Sequence, residues 1–166
     1  RVEDLVGKRA RIMWVSTFHS SCVRILRKEI DKLGFKSSFS IYDAADSQRL
    51  MSLVLRDLDL DPKRYPARGF SHQVSNLKNE LIDEETYAGR VGEASPHQEQ
   101  VLAEAYTSYQ RRLRQANAMD FDDLLFCAVE LLEGHDDVRA EYGERFRYVL
   151  VDEYQDTNHA QYRLCR

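Results

Sequence analysis

Helical periodicity dominates the middle of this 166-residue chain, and strand-like segments lie towards its two ends. Residues 11–17 are rich in β-forming residues, and residues 146–151 form an apolar run typical of a buried strand. Between them, apolar side chains at helical spacing predict helices at about 20–33, 44–58, 70–82, 84–90, 97–116, 120–133 and 137–145, with a short β-like stretch at 38–42. Because two strands alone do not make a stable sheet, we predict an α/β, predominantly helical fold whose sheet needs further strands.

Composition excludes several classes of protein. With 24 Lys and Arg against 28 Asp and Glu, the net charge of −4 excludes a globally basic nucleic-acid coat, though not a local basic stripe. The cysteines Cys22, Cys127 and Cys165 form no CxxC pair, so neither a zinc site nor a disulfide framework is indicated. Two of them lie in apolar helical patterns, which is typical of reduced thiols in a cytosolic protein. No apolar run approaches membrane-spanning length and no signal peptide opens the chain, so no membrane partner is expected.

Two adjacent acids follow the second strand-like run. Val149, Leu150 and Val151 lead into Asp152 and Glu153. The carboxyl ends of buried strands border the crevice where ligands bind in α/β proteins. There an aspartate can hold Mg²⁺ against nucleotide phosphates, and a following glutamate can deprotonate the attacking water. A strand that runs into an acidic surface turn has the same five residues, and from these residues alone that interpretation is favoured.

Longer motifs change this balance. Residues 151–158, Val-Asp-Glu-Tyr-Gln-Asp-Thr-Asn, closely resemble motif II of the superfamily 1A DNA helicases of the UvrD/PcrA/Rep family. Residues 14–20 resemble the Thr-Phe-His motif of that family, and residues 119–125 resemble its Leu-Asp-Phe-Asp-Asp-Leu segment. Residues 77–82 have a counterpart in the inserted helical subdomain of the family. The four matches occur in the family's order and span nearly the whole chain.

The resemblance implies a partial RecA-like P-loop NTPase motor domain, called 1A, with an inserted all-helical subdomain, called 1B. Residues 1–37 and 116–166 are assigned to 1A, and residues 38–115 to 1B. The phosphate loop G-x-x-x-x-G-K-[ST] is absent, since the only Gly-Lys pair, Gly7-Lys8, is followed by an arginine. We therefore expect a fragment of a longer helicase, from after the phosphate loop through motif II, which has no ATPase activity by itself.

The activity implied by the resemblance is ATP-driven movement 3′ to 5′ on single-stranded DNA, with duplex unwinding, in repair or replication. The implied cofactors are ATP and Mg²⁺. The implied partners are single-stranded and forked DNA, the rest of the helicase chain, and repair or transcription proteins. The implied location is the cytoplasm, in association with the nucleoid.

Four residues of motif II receive roles in nucleotide chemistry from the resemblance. Asp152 would contact Mg²⁺ through water, and Glu153 would be the catalytic base. Gln155 belongs to the catalytic set and, together with Asp156, would link the nucleotide site to neighbouring motifs.

Six other residues are assigned to DNA. Thr17, Phe18, His19 and Ser20 would line the single-stranded DNA track, because hydroxyl and imidazole groups suit phosphate contacts and an aromatic ring suits base stacking. Lys78 and Asn79 are also assigned to DNA binding.

Simpler roles stay open for several of these side chains. Phe18 could be a core aromatic below the strand end, and His19 could brace the following helix. Asp122 and Asp123 are explained most simply as first-turn acids that favour the helix macrodipole. The arginines of residues 111–114 could bind DNA phosphate, although charged helix faces are usually only solvated.

Two other functions also stay open. The first is a non-catalytic helical module that binds DNA or a protein partner. The second is a fragment of a related helicase–nuclease subunit, which would share the Asp-Glu-x-Gln-Asp-Thr core. Tyr154 and the compact insertion favour the UvrD/PcrA group over that second alternative.

Overall fold

The computed structural model describes residues 2–166, apart from the side chain of Arg11, so Arg1 of the predicted 1–37 segment lies outside the described residues. The described chain is mostly helical with a small parallel sheet, which confirms the predominantly helical α/β class. The helices are α1 (Val2–Val6), α2 (Phe18–Glu29), α3 (Ala44–Asp57), α4 (Ala67–Asn79), α5 (Glu84–Arg90), α6 (His97–Gln115), α7 (Phe121–Gly134), α8 (Asp136–Arg145) and α9 (His159–Leu164). Short 3₁₀ turns lie at Gly7–Arg11, Ile30–Leu33 and Tyr154–Asp156.

A two-stranded parallel sheet joins two segments that are far apart in the sequence. Strand β1 (Ser40–Tyr42) pairs in parallel with strand β2 (Ala118–Asp120), in the register Ser40 to Ala118 and Tyr42 to Asp120. The β-like stretch at 38–42 is thereby confirmed, whereas β2 was not predicted. Helices α3 to α6 lie between β1 and β2 in the sequence. The pairing of the two strands therefore brings the end of this helical segment back beside its beginning.

The strands predicted at 11–17 and 146–151 are not formed. Both segments lack strand pairing, and the side chains of Ile12, Tyr148 and Leu150 are 88%, 92% and 91% exposed. A strand needs backbone partners on a neighbouring strand, and the described residues place no strand beside either segment. The β-forming composition of these segments is therefore not sufficient to make them strands within residues 2–166.

The predicted helices are confirmed with shifted ends, and side-chain caps explain where several begin. Asp43 directly precedes the helix predicted at 44–58, where an aspartate favours a cap, and it caps α3 by accepting a hydrogen bond from the Asp46 backbone N–H at 2.8 Å. The α4 helix begins directly after Pro66, three residues earlier than predicted, because proline suits a helix start. Within the described residues, no helix combines the length and the apolar character that crossing a bilayer requires.

The buried apolar residues form two clusters. The first packs α2, α7, α8 and α9 around residues such as Leu26, Leu125 and Leu131. The second packs α3, α4 and α6 around residues such as Met51 and Leu113. The β1–β2 pair lies where the two clusters meet, since Met119 belongs to the first cluster and Ala118 to the second.

Candidate nucleotide and nucleic-acid site

The acidic run lies on an exposed turn between α8 and α9. Asp152 and Glu153 are both exposed, and a 3₁₀ turn over Tyr154–Asp156 follows them directly. Glu153 has left-handed backbone angles, φ 50° and ψ 45°, which cost a residue with a Cβ atom about 1–2 kcal/mol. Strain of this kind in a non-glycine residue is frequent at functional sites.

Hydrogen bonds within the turn orient the predicted catalytic side chains. The Gln155 Nε2 donates to the Glu153 Oε2, so the structure brings these two predicted residues together. The Thr157 Oγ1 donates to the Tyr154 carbonyl oxygen at 2.8 Å and closes the turn. The carboxylate of Glu153 is therefore held by an amide that also lies in the motif.

The chemistry of the two acids fits a magnesium ion bound together with a nucleotide. Among the described residues, no group of three or more His, Cys, Asp or Glu side chains is arranged to hold a metal ion by itself. Mg²⁺ in nucleotide sites takes one or two protein carboxylates and completes its shell with water and phosphate oxygens. Asp152, an exposed carboxylate, can supply such a ligand, while the carboxylate of Glu153, its neighbour in sequence, accepts from Gln155.

The run ends in a helix cap that connects it to α4. The Asn158 Oδ1 accepts from the Gln161 backbone N–H at 2.8 Å, and the Gln161 Oε1 accepts from the Asn158 N–H at 3.1 Å, a reciprocal capping box for α9. The remaining Asn158 Nδ2 donates to Asn79. Asn79, assigned to DNA from the resemblance, is thus half-buried and bonded to this cap.

Lys78 lies in the interior, which requires a correction to its assignment as a DNA contact. Its side chain is 1% exposed, and Nζ lies 2.7 Å from both Asp120 Oδ2 and Asp123 Oδ1. Burial alone lowers the pKa of Lys78, but the two carboxylates hold that pKa well above its ordinary value. The ammonium is enclosed between these partners and presents no surface to a DNA phosphate.

The acids around Lys78 do more than favour the macrodipole. Asp120 and Asp123 form the capping box of α7, and both are buried. Burial and the charge of Asp120 raise the pKa of Asp123 to about 6. Burial also acts to raise the pKa of Asp120, but the charge of Lys78 outweighs it and the pKa is lowered. This box was not identified from the sequence, although the Asp-x-x-Asp spacing of Asp120 and Asp123 is a signal that could have indicated it.

The predicted DNA track begins at the cap of α2. The Thr17 Oγ1 accepts from the Ser20 backbone N–H at 3.3 Å and donates to the Ser20 Oγ at 3.0 Å. Phe18 is half-buried against the first apolar cluster, in agreement with the core role left open for it. Thr17 and Ser20 are exposed, so the two hydroxyl groups lie at the surface.

A surface aromatic pair was missed by the sequence reasoning. The helical spacing of Phe121 with the apolar residues of α7 predicts an inward-facing ring, but Phe121 is 48% exposed. Its ring packs edge-on against the ring of His19, with 5.7 Å between the centroids. Helical spacing groups Phe121 with Leu124 and Leu125, so no local signal separated it from them. The pair His19–Phe121 forms an aromatic patch next to the exposed hydroxyls of the α2 cap.

Comparison with known proteins covers the whole chain. A family model described as the UvrD/REP helicase N-terminal domain matches residues 1–166. The ATP-dependent DNA helicase UvrD1 of Mycobacterium tuberculosis is 55% identical over 167 residues, which cover 100% of this chain and 22% of that protein. UvrD1 of Mycobacterium leprae is 50% identical over 168 residues, and the ATP-dependent DNA helicase PcrA of Staphylococcus aureus is 43% identical over 166, with the same coverage of 100% and 22%. The chain thus spans about a fifth of the length of these relatives.

Proposed function

The chain belongs to the UvrD/REP helicase N-terminal domain family, and we propose that the full-length protein containing it is an ATP-dependent DNA helicase that moves 3′ to 5′ on single-stranded DNA. The observation that carries this proposal is the exposed turn in which Gln155 orients the carboxylate of Glu153 beside Asp152. Relatives that match the whole chain are named as ATP-dependent DNA helicases, which supports the same assignment.

In the proposed reaction, Glu153 accepts the proton of the water that attacks the γ-phosphate. The Gln155 amide donates to one oxygen of the Glu153 carboxylate and restricts its orientation, which leaves the other oxygen available to accept that proton. Asp152 would hold Mg²⁺ through water, and the ion would neutralise charge on the phosphate oxygens. The groups that bind the phosphates themselves are not encoded in residues 1–166, since no phosphate-loop motif occurs there.

Single-stranded DNA would run across the N-terminal ends of α2 and α7. The exposed hydroxyls of Thr17 and Ser20 suit phosphate oxygens, and the exposed ring of Phe121 suits a base. His19 packs against Phe121 and joins the two kinds of contact. The proposed DNA contacts would therefore lie at the N-terminal ends of two helices, α2 and α7, that pack against each other.

Residues 38–115 would form the inserted subdomain 1B between two parts of motor domain 1A. The second apolar cluster supports this division, because all of its buried members except Ala118 lie between Met51 and Leu113. The pairing of β1 with β2 also supports it, since an inserted unit has to return the chain to its point of departure.

Strand-displacement assays with tailed duplexes test the proposal. We expect the full-length protein to unwind duplexes with a 3′ single-stranded tail when ATP and Mg²⁺ are present, and to leave duplexes with only a 5′ tail intact. The 166-residue chain alone is the matched control, and its ATP hydrolysis should stay at background because it lacks a phosphate loop. ATP-independent binding without unwinding would instead favour a DNA-binding module, and hydrolysis by the isolated chain would contradict the fragment model.

Replacing Phe121 by Ala should weaken binding of single-stranded DNA by the full-length protein, because a stacked base contributes about 1–3 kcal/mol. Fluorescence titrations at two salt concentrations measure the effect. The slope of affinity against salt should match the wild type, since no phosphate contact is removed. Tyr162→Ala is the matched control, because Tyr162 is a partly exposed aromatic residue, at 38%, that lies on a different helix, α9. Unchanged affinity of Phe121→Ala would remove this ring from the DNA track.

A further inference from the structure

The carboxamide of Asn79 joins three elements of the chain. Asn79 is the last residue of α4, and its Oδ1 accepts from the Asn158 Nδ2 at 2.6 Å. Its own Nδ2 donates to the Asp122 Oδ1 at 3.3 Å and to the Ser75 Oγ at 3.4 Å. The amide nitrogen of half-buried Asn79 therefore bonds to the first turn of α7, and its amide oxygen bonds to the cap of α9.

The position of Asn79 is held by its neighbour in sequence. Lys78 is fully buried, and its two ion pairs bind the last turn of α4 to the first turn of α7. Because these charges have no water to exchange with, the end of α4 cannot shift relative to α7 without breaking the pairs. The ion pairs of Lys78 therefore fix the backbone position from which Asn79 bonds to the α9 cap.

Two of the partners of Asn79, Asn158 and Asp122, lie close in sequence to residues of the candidate site. Asn158 follows Glu153 by five positions, and the single 3₁₀ turn Tyr154–Asp156 fills most of that interval. Asp122 directly follows Phe121, the exposed ring of the aromatic patch. A shift of Asn158 would therefore move the turn that carries Asp152 and Glu153, and a shift of Asp122 would move the ring of Phe121.

We propose that Asn79 is a positioning residue that couples the DNA contacts at the His19–Phe121 patch to the acids Asp152 and Glu153, through its hydrogen bonds to Asp122 and Asn158. This role replaces the direct DNA contact assigned to Asn79 from the sequence, and it rests on the proposed helicase function. It predicts that Asn79 sets how strongly bound DNA accelerates hydrolysis rather than how tightly DNA binds.

ATP hydrolysis by the full-length Asn79→Ala variant, titrated with single-stranded DNA, tests the role. The ratio of the DNA-saturated kcat to the DNA-free kcat should fall about tenfold, in the range of typical coupling between sites. The DNA concentration for half-maximal stimulation should stay at the wild-type value. Asn76→Ala, an exposed position one turn earlier on α4, is the matched control and should keep the wild-type ratio.

Asn158→Ser supplies a second, independent variant. Serine can still cap α9, but its hydroxyl is too short to reach Asn79, so the link is cut while the helix start is kept. This variant should lower the stimulation ratio as Asn79→Ala does, and the double variant should fall no further than either single one. A double variant whose stimulation ratio falls by the product of the two single reductions would show that the two residues act independently, and it would overturn the link.

The outcomes separate this proposal from the function on which it rests. A wild-type protein without DNA-stimulated hydrolysis overturns both. A stimulated wild type with an equally stimulated Asn79→Ala overturns only the positioning role. A raised half-maximal DNA concentration with full stimulation at saturation also overturns it, and restores the direct DNA contact in its place.

Discussion

Substituting Glu153 by Gln in the full-length protein should reduce DNA-stimulated ATP hydrolysis by about 10²–10⁴-fold, the range that a general base typically contributes. Glutamine keeps the shape of the side chain and an oxygen that can accept from the Gln155 amide. It cannot take a proton from water at neutral pH. Single-turnover hydrolysis with saturating single-stranded DNA measures the loss, since it isolates the chemical step.

Nucleotide binding should survive the same substitution, because Glu153 is proposed to contact the attacking water rather than the phosphates. A titration with a fluorescent ATP analogue measures this. Glu144→Gln, which removes an exposed carboxylate from α8, is the matched control and should leave turnover unchanged. If Glu153→Gln keeps turnover within about tenfold of the wild type, Glu153 is not the catalytic base.

Exchanging Lys78 for Met should lower the local free energy of unfolding by about 3–5 kcal/mol, because two buried carboxylates lose the ammonium that pairs with both of them. Hydrogen exchange of peptides from α4 and α7 measures the loss where it occurs. Protection there should fall by a factor of about 10²–10⁴, which is the same loss expressed as a change in the opening equilibrium. The matched control is Lys63→Met, since Lys63 is exposed in the loop before α4 and should change stability by no more than about 0.5 kcal/mol.

Two further measurements test the electrostatic cause of this effect. The triple variant Lys78→Met with Asp120→Asn and Asp123→Asn should regain much of the protection, because no buried charge is left unpaired and asparagine still caps α7. The single variant should also gain stability as the pH falls from about 8 to about 5.

The sign of that pH effect follows from the carboxyl groups. In the wild type, burial and the charge of Asp120 already raise the pKa of Asp123 to about 6, above its unfolded value of 3.8. Removing the ammonium of Lys78 raises the pKa further. A carboxyl with a higher pKa in the folded state binds its proton more tightly there, so its contribution to stability grows at low pH and is lost as the pH rises through the folded pKa. A variant equally destabilised at both pH values would contradict this cause.

Sequence reasoning worked where one contiguous segment carries the physical cause. The helices follow from the spacing of apolar residues, and the Asp43 cap follows from a side chain that bonds to the backbone three residues on. The acidic run of residues 151–158 was recognised because eight consecutive residues resemble one family motif, and the family match over residues 1–166 agrees with that recognition.

The same reasoning failed for the strands predicted at 11–17 and 146–151 and missed β2, because a strand depends on a neighbour that its own residues do not specify. Residues 146–151 have strand composition, yet Tyr148 and Leu150 are exposed and unpaired. The short run Ala118–Asp120 carries no such signal, yet it is β2 because β1 lies beside it.

By itself, the sequence determined the helices, their caps, the family and the acidic turn, since each depends on residues close together in the chain. Only the tertiary structure decided which polar and aromatic side chains face water. Lys78 is buried because Asp120, 42 residues further along, folds against it, and Phe121 is exposed because it begins α7 beside His19. The link from Asn79 to Asn158 crosses 79 residues, so only the packing of α4 against α9 could bring those two amides together.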